Sequence, residues 1–193
     1  MKRIAIFASG TGSNARKIVE YFQNHKDIEV SLIVSNRKNA LVLTMAAEYN
    51  IDRFVIDRKY FYESEDILAK LTDYDIDFIA LAGFLWLIPE YLVKAYDKKI
   101  VNIHPALLPK YGGKGMYGHH VHEAVKAAGE TESGITIHYV NTKYDEGNII
   151  FQAKSALEEE DTPEEIARKV LTLEHRYFAK TIEKLLSNND QDQ

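Results

Sequence analysis

Asn102 and His104 stand two positions apart in Asn102-Ile103-His104-Pro105, and Ala106-Leu107-Leu108-Pro109-Lys110-Tyr111 follows. In extended backbone alternate residues share a face, so the carboxamide and the imidazole point the same way at the end of a strand. Open α/β sheets place their sites at that end. An amide donor beside an imidazole suits a carbonyl whose oxygen becomes negative: both groups stabilise the oxyanion, and the imidazolium also supplies a proton. Pro105 and Pro109 stiffen the exit from the strand. Taken alone, a histidine between Ile103 and Pro105 serves equally well as a hydrogen-bonded structural residue.

A second group is Ser9-Gly10-Thr11-Gly12-Ser13-Asn14, set between the apolar run Ile4 to Ala8 and a helical segment starting at Ala15. Backbone amides and the positive end of the helix dipole converge there, and the glycines admit an anion, so a phosphate fits. Gly10-x-Gly12-x-x-Ala15 also matches a relaxed dinucleotide fingerprint. A NAD site wants a carboxylate at the end of the second strand, yet that strand ends Val34-Ser35-Asn36-Arg37. Arg37 leaves NADP conceivable, and a mononucleotide phosphate is the simpler account. The bland alternative is a strand-to-helix turn capped by Ser13 or Asn14.

The elements that must position these groups are legible as alternating runs. Ile4 to Ala8, Val30 to Val34, Phe54 to Ile56, Phe78 to Ala82 and Ile100 to Ile103 read as strands. Between them Ala15 to Phe22, Leu41 to Tyr49, Ile67 to Tyr74 and Pro89 to Tyr96 have helical period. This rhythm predicts an α/β fold, a Rossmann-like, mostly parallel sheet with helices on both faces. The second half adds a glycine-rich loop from Tyr111 to Gly118, a helix near His122 to Ala128, and strands Gly134 to Val140 and Asn148 to Lys154 joined through Asp145-Glu146-Gly147. Those two strands either pair as a hairpin or join the main sheet. A final helix starts with a capping box, Thr162 as cap, Pro163 at the first position and Glu165 three residues after the cap, and should run to about Leu186. Residues 1–187 are expected to form one domain and 188–193 a disordered polar tail.

The 193 residues are 46% hydrophobic and 27% charged, the range of one globular domain with a substantial core. A net charge of -5 gives no general attraction to nucleic acid or an anionic membrane. With no cysteine there is no disulfide framework, thiolate metal site or cysteine nucleophile. The short amino-terminal apolar run reads as a strand, and no apolar stretch of about 20 residues exists elsewhere, so a cytoplasmic location is expected.

Asn102-Ile103-His104-Pro105 with Leu107-Leu108-Pro109-Lys110-Tyr111 closely resembles the signature of the folate-dependent formyltransferases, and Asp145-Glu146-Gly147 is similar to their third catalytic element. The resemblance runs from about residue 2 to residue 180. Its length and the Ser9 to Asn14 loop are similar to the branch acting on glycinamide ribonucleotide. It implies catalytic Asn102, His104 and Asp145, with Asp145 orienting His104 and favouring its charged form, as a nearby carboxylate does. It implies phosphate contacts from Gly12, Ser13 and Asn14, and substrate binding by Glu174. Leu85, Trp86, Leu87 and Ile88, with Asn102 and the loop Asn141, Thr142, Lys143, Tyr144, would hold the folate. The implied partners are two small molecules, 10-formyltetrahydrofolate as cosubstrate and glycinamide ribonucleotide, with no metal, nucleic acid or membrane and a monomer or homodimer. Outside the resemblance, Asp145 to Gly147 is an ordinary acidic turn, Leu85 and Leu87 are plain core, and Glu174 is a solvated helix residue. Two departures stand out: Leu171 occupies a position where the family often has a polar phosphate contact, and Tyr111 to His122 is unusually rich in Gly and His. His119, His120 and His122 suggest a metal, but no supporting carboxylate or cysteine spacing accompanies them, and a polar wall of the cleft is the preferred reading. Rival functions are transfer to a sugar-nucleotide amine, a noncatalytic nucleotide-binding module and, more weakly, a nicotinamide-dependent oxidoreductase.

Overall fold

A computed structural model describes residues 1–188. In chain order the elements are β1 (Lys2–Phe7), α1 (Ser13–Phe22), β2 (Ile28–Ser35), α2 (Leu41–Glu48), β3 (Asp52–Val55), α3 (Arg58–Tyr62), α4 (Asp66–Asp73), β4 (Phe78–Leu81), α5 (Glu90–Ala95), β5 (Ile100–His104), α6 (His119–Ala127), β6 (Glu132–Tyr139), β7 (Ile149–Ala156) and α7 (Pro163–Asn188). The strands form one seven-stranded sheet ordered β3-β2-β1-β4-β5-β6-β7. The first five are parallel, while β6 runs antiparallel to β5 and β7 antiparallel to β6. Both alternatives left open for β6 and β7 therefore hold together: they form a hairpin, and the hairpin extends the main sheet.

β1 shows why an unbroken apolar run becomes a central strand. Ile4 and Ile6 belong to the core on one face, with α1, α2, α6 and α7, whereas Ala5 and Phe7 belong to the core on the other, with α3, α4 and α5. A strand buried on both faces has no position for a polar side chain. α1 instead buries one stripe, Ala15, Ile18, Val19 and Phe22, at helical spacing.

α7 opens with the expected capping box. The Thr162 amide donates to Glu165 Oε2 (2.8 Å) and the Glu165 amide to Thr162 Oγ1 (3.2 Å). The helix then runs to Asn188, one residue into the span expected as a tail; the rest of that span, 189–193, lies outside the described residues. Glu183 ties α7 to α1 by accepting from the Tyr21 hydroxyl (2.6 Å) and facing His25 Nε2 at 3.2 Å. His25 Nδ1 accepts from the amides of Asp27 and Ile28, so Nε2 carries the proton. This clamp ties α7 to the carboxyl-terminal end of α1, the end away from the glycine loop.

The strand order reverses between β1 and β4, the place where open α/β sheets form a crevice beyond the carboxyl ends of their strands. Ser9 bridges it: its amide donates to the Gly83 carbonyl (3.1 Å) and its hydroxyl accepts from the Leu85 amide (3.0 Å). Among the described residues no helix is long and apolar enough to cross a membrane.

Candidate functional site

Gly12 caps α1 with φ 79°, a conformation that favours glycine, and a Cβ there would lie 2.7 Å from Val42 Cγ2. The Gly10 carbonyl accepts from the Val42 amide (3.2 Å), which pins the loop to the start of α2. No side chain caps α1, so the amides of its first turn stay open toward the crevice. Ser13 is exposed, but the Asn14 carboxamide is already engaged: its Nδ2 donates to Glu174 Oε2 at 2.7 Å. Its backbone amide belongs to the uncapped first turn. Leu171, 36% exposed, supplies no polar contact from α7.

Glu174 is not the solvated residue its helix position suggests. It is 8% exposed, and burial pushes its carboxyl up to about 6 despite the Asn14 hydrogen bond. The folded protein therefore holds more protons than the unfolded chain between the ordinary value of 4.5 and about 6, so stability falls as pH rises through that window. Glu174→Gln, uncharged throughout, should remove that fall. Its unfolding free energy should gain up to about 2 kcal/mol on wild type between about pH 4.5 and about pH 6.5. Chemical denaturation across the window checks this; a pH-independent difference would mean Glu174 ionises normally.

Asn102 and His104 face the same way from β5, as alternation requires, and β6 pairs with them in register, Asn102 opposite His138 and His104 opposite Thr136. Asp145 closes over this pair from the turn before β7, its backbone in the left-handed region at φ 55°. Its Oδ2 lies 3.6 Å from His104 Nδ1 and accepts from the Gly113 amide at 2.9 Å. Its Oδ1 lies 3.4 Å from Asn102 Nδ2 and 3.7 Å from His138 Nε2. The three residues expected to act together are thus brought together. His138, which sequence reasoning missed, makes a fourth.

The electrostatics of the two central groups differ from the simplest expectation. Burial would raise the Asp145 carboxyl, but the adjoining rings of His138 and His104 and the Gly113 amide outweigh it, leaving Asp145 below its ordinary value. His104 is pulled down by burial; Asp145 and the Tyr111 carbonyl pull it back up without reversing the direction. The expected carboxylate effect is present and is outweighed by desolvation. His104 Nε2 donates to the Tyr111 carbonyl at 2.7 Å while Nδ1 faces Asp145, so both ring nitrogens look at acceptors. A further negative charge, such as a developing oxyanion, adds to the pull toward imidazolium.

Leu85, Trp86 and Leu87 are half-buried and Ile88 buried in the segment after β4. Trp86 is backed by Phe61, Tyr62 and Phe84, and the Arg58 guanidinium lies 5.2 Å over its ring. The Tyr62 hydroxyl donates to the Leu87 carbonyl (2.9 Å). α3, which carries Arg58, Phe61 and Tyr62, was not foreseen: at five residues it is too short to display a helical period. Across the crevice, Asn141 Oδ1 accepts from the Lys143 amide at 2.9 Å, an Asx turn; Thr142 and Lys143 are exposed and Tyr144 is half-buried.

The histidines of the Tyr111 to His122 segment separate. His119 and His120 are exposed on α6 and meet carboxylates that the sequence reading had not credited, His119 facing Glu123 (3.3 Å) and Glu164 (3.5 Å), His120 facing Glu123 (3.4 Å). His122 is buried and pushed down to about 4 by burial. Among the described residues no group of three or more His, Asp or Glu side chains is placed to hold a metal ion.

The formyl transferase family profile matches residues 2–182. The chain is 42% identical over 187 residues to the chloroplastic phosphoribosylglycinamide formyltransferase of Arabidopsis thaliana, covering 94% of this chain and 64% of that protein. It spans 61% of the Vigna unguiculata chloroplastic enzyme of the same name. It is 36% identical to the phosphoribosylglycinamide formyltransferase of Bacillus subtilis, covering 99% of this chain and 98% of that one. The crystal structure of the Bacillus halodurans protein of that name superposes with a TM-score of 0.86 at 36% identity, covering 96% of both chains. With residues 2–182, nearly its whole described length, matched, the chain belongs to the formyl transferase family.

Proposed function

We propose that this protein transfers the formyl group of 10-formyltetrahydrofolate to the amine of glycinamide ribonucleotide, a step of purine biosynthesis, and that residues 1–187 form the single domain that does so. The observation that carries the reading is the meeting of Asn102, His104 and Asp145 beyond the switch point of the sheet, beside an open helix terminus suited to phosphate. We place the phosphate on the first-turn amides at Gly12, Ser13 and Asn14, the remainder of that substrate toward Glu174, and the folate between Leu85 to Ile88 and Asn141 to Tyr144. The reaction partners are these two small molecules, and the location is the cytoplasm.

The neutral amine attacks the formyl carbon, forming a C–N bond, and the carbonyl electrons move to oxygen. Asn102 donates to that oxyanion, and the imidazole of His104, drawn toward its charged form by the new negative charge and by Asp145, stabilises it and supplies a proton. Collapse re-forms the carbonyl, returning the oxygen's proton to His104, and breaks the bond to N10 of the folate, which leaves with the proton that the former amine gives up. Holding both substrates in one crevice supplies much of the acceleration. The test is absorbance-monitored conversion of 10-formyltetrahydrofolate to tetrahydrofolate with glycinamide ribonucleotide as acceptor. Acceptor-dependent turnover supports the proposal. Turnover only with a sugar-nucleotide amine, or binding without turnover, overturns it.

A further inference from the structure

We infer that His138 is a positioning residue for Asn102, fixing which end of its carboxamide faces the reacting carbonyl; this rests on the formyl-transfer reading above. His138 is 2% exposed and pairs with Asn102 across the β5–β6 ladder. Its Nδ1 lies 2.9 Å from the Tyr139 carbonyl oxygen, which can only accept, so Nδ1 carries the proton. The ring then presents a lone pair at Nε2, 3.1 Å from Asn102 Nδ2 and 3.7 Å from Asp145 Oδ1, two acceptors that can sit this close because the Asn102 amide nitrogen donates toward both. That same nitrogen lies 3.4 Å from Asp145 Oδ1. The opposite amide orientation would set Asn102 Oδ1 against a lone pair and a carboxylate, two repulsions in a buried site, so its neighbours settle its polarity.

The consequence is chemical. One Asn102 N–H is held by His138 at good length, and the other only by the long contact to Asp145. The second, weakly held, is the one that can exchange that contact for a formyl oxygen entering beside Asp145. A carboxamide left to flip would spend part of its time offering its own carbonyl to the oxyanion, raising the barrier instead of lowering it. Gly147 completes the device, because a Cβ there would collide with the Tyr139 carbonyl oxygen. Only glycine lets the Asp145 turn close onto the carbonyl that sets the His138 tautomer.

Two measurements on the full chain test this. Long-range 1H–15N spectra should show the His138 proton on Nδ1 and none on Nε2; a proton on Nε2 would overturn the inference whether or not the protein turns over formyl-folate. In the transfer assay His138→Leu should lower kcat by roughly 30-fold with both KM values within about threefold, and His138→Gln, whose carbonyl can accept, should recover part of the loss. In an Asn102→Ala background, His138→Leu should cost nothing further. Additive losses, or a Gln variant no better than Leu, would leave His138 a merely structural residue. Absence of turnover by wild type would sink the proposed function and leave the tautomer measurement to decide this inference.

Discussion

Replacing His104 with alanine should lower kcat for formyl transfer by roughly 10³-fold or more, with binding of both substrates kept within a few-fold. The size of the effect follows from the lack of a substitute around the reacting carbonyl. His138, in the tautomer inferred above, donates from Nδ1 to the Tyr139 carbonyl and accepts from Asn102 at Nε2, and Asn102 donates a hydrogen bond but no proton. His104 is the ring with a carboxylate at its Nδ1 and a cleft in which charge would develop. Its side chain is almost wholly buried, so His104→Gln, which keeps volume and one polar group, should accompany the alanine variant. Loss of turnover in both, with unchanged thermal unfolding, assigns the effect to chemistry. A kcat within tenfold of wild type in either variant would remove His104 from the transfer step.

Asp145→Asn should lower kcat by roughly 10²- to 10³-fold while leaving the shape of the turn intact. The carboxylate does three things at once: it accepts the Gly113 amide, faces Asn102, and draws His104 toward its charged form. An amide of the same size keeps the first contact through its oxygen and loses the charge. His104 is already pulled below its ordinary value by burial, and without Asp145 it falls further. The limb of the pH–rate profile that reports loss of the His104 imidazolium should therefore move to lower pH. Near-normal turnover with both substrates saturating, or a limb that stays in place, would show that the carboxylate does not act on His104.

Much of this architecture was legible in the chain itself. Ile4 to Ala8 and Phe78 to Ala82 are continuous apolar runs, and only a strand covered on both faces uses such a run in an α/β pattern. The Thr162–Glu165 box is local chemistry, readable from residues three apart and realised in both of its hydrogen bonds. The Asn102/His104 pair was legible for the same reason: period two is a property of extended backbone. α3 was not, since Asp57 and five residues leave no room for a repeating stripe.

The amino-acid sequence by itself determined the parallel core, the glycine turn before α1, the shared face of Asn102 and His104, and, through its resemblance, the family. The tertiary structure alone decided that His138 stands opposite Asn102, that His104 Nε2 donates to the Tyr111 carbonyl, that Asn14 donates to Glu174, and that burial outweighs the Asp145 charge at His104. The division has one physical cause. Periodicity, capping and turn chemistry act between residues a few positions apart and leave their mark in composition and spacing. Register between strands, contacts made by backbone oxygens and the desolvation of an ionisable group depend on what folding brings from elsewhere in the chain, and no single segment records it.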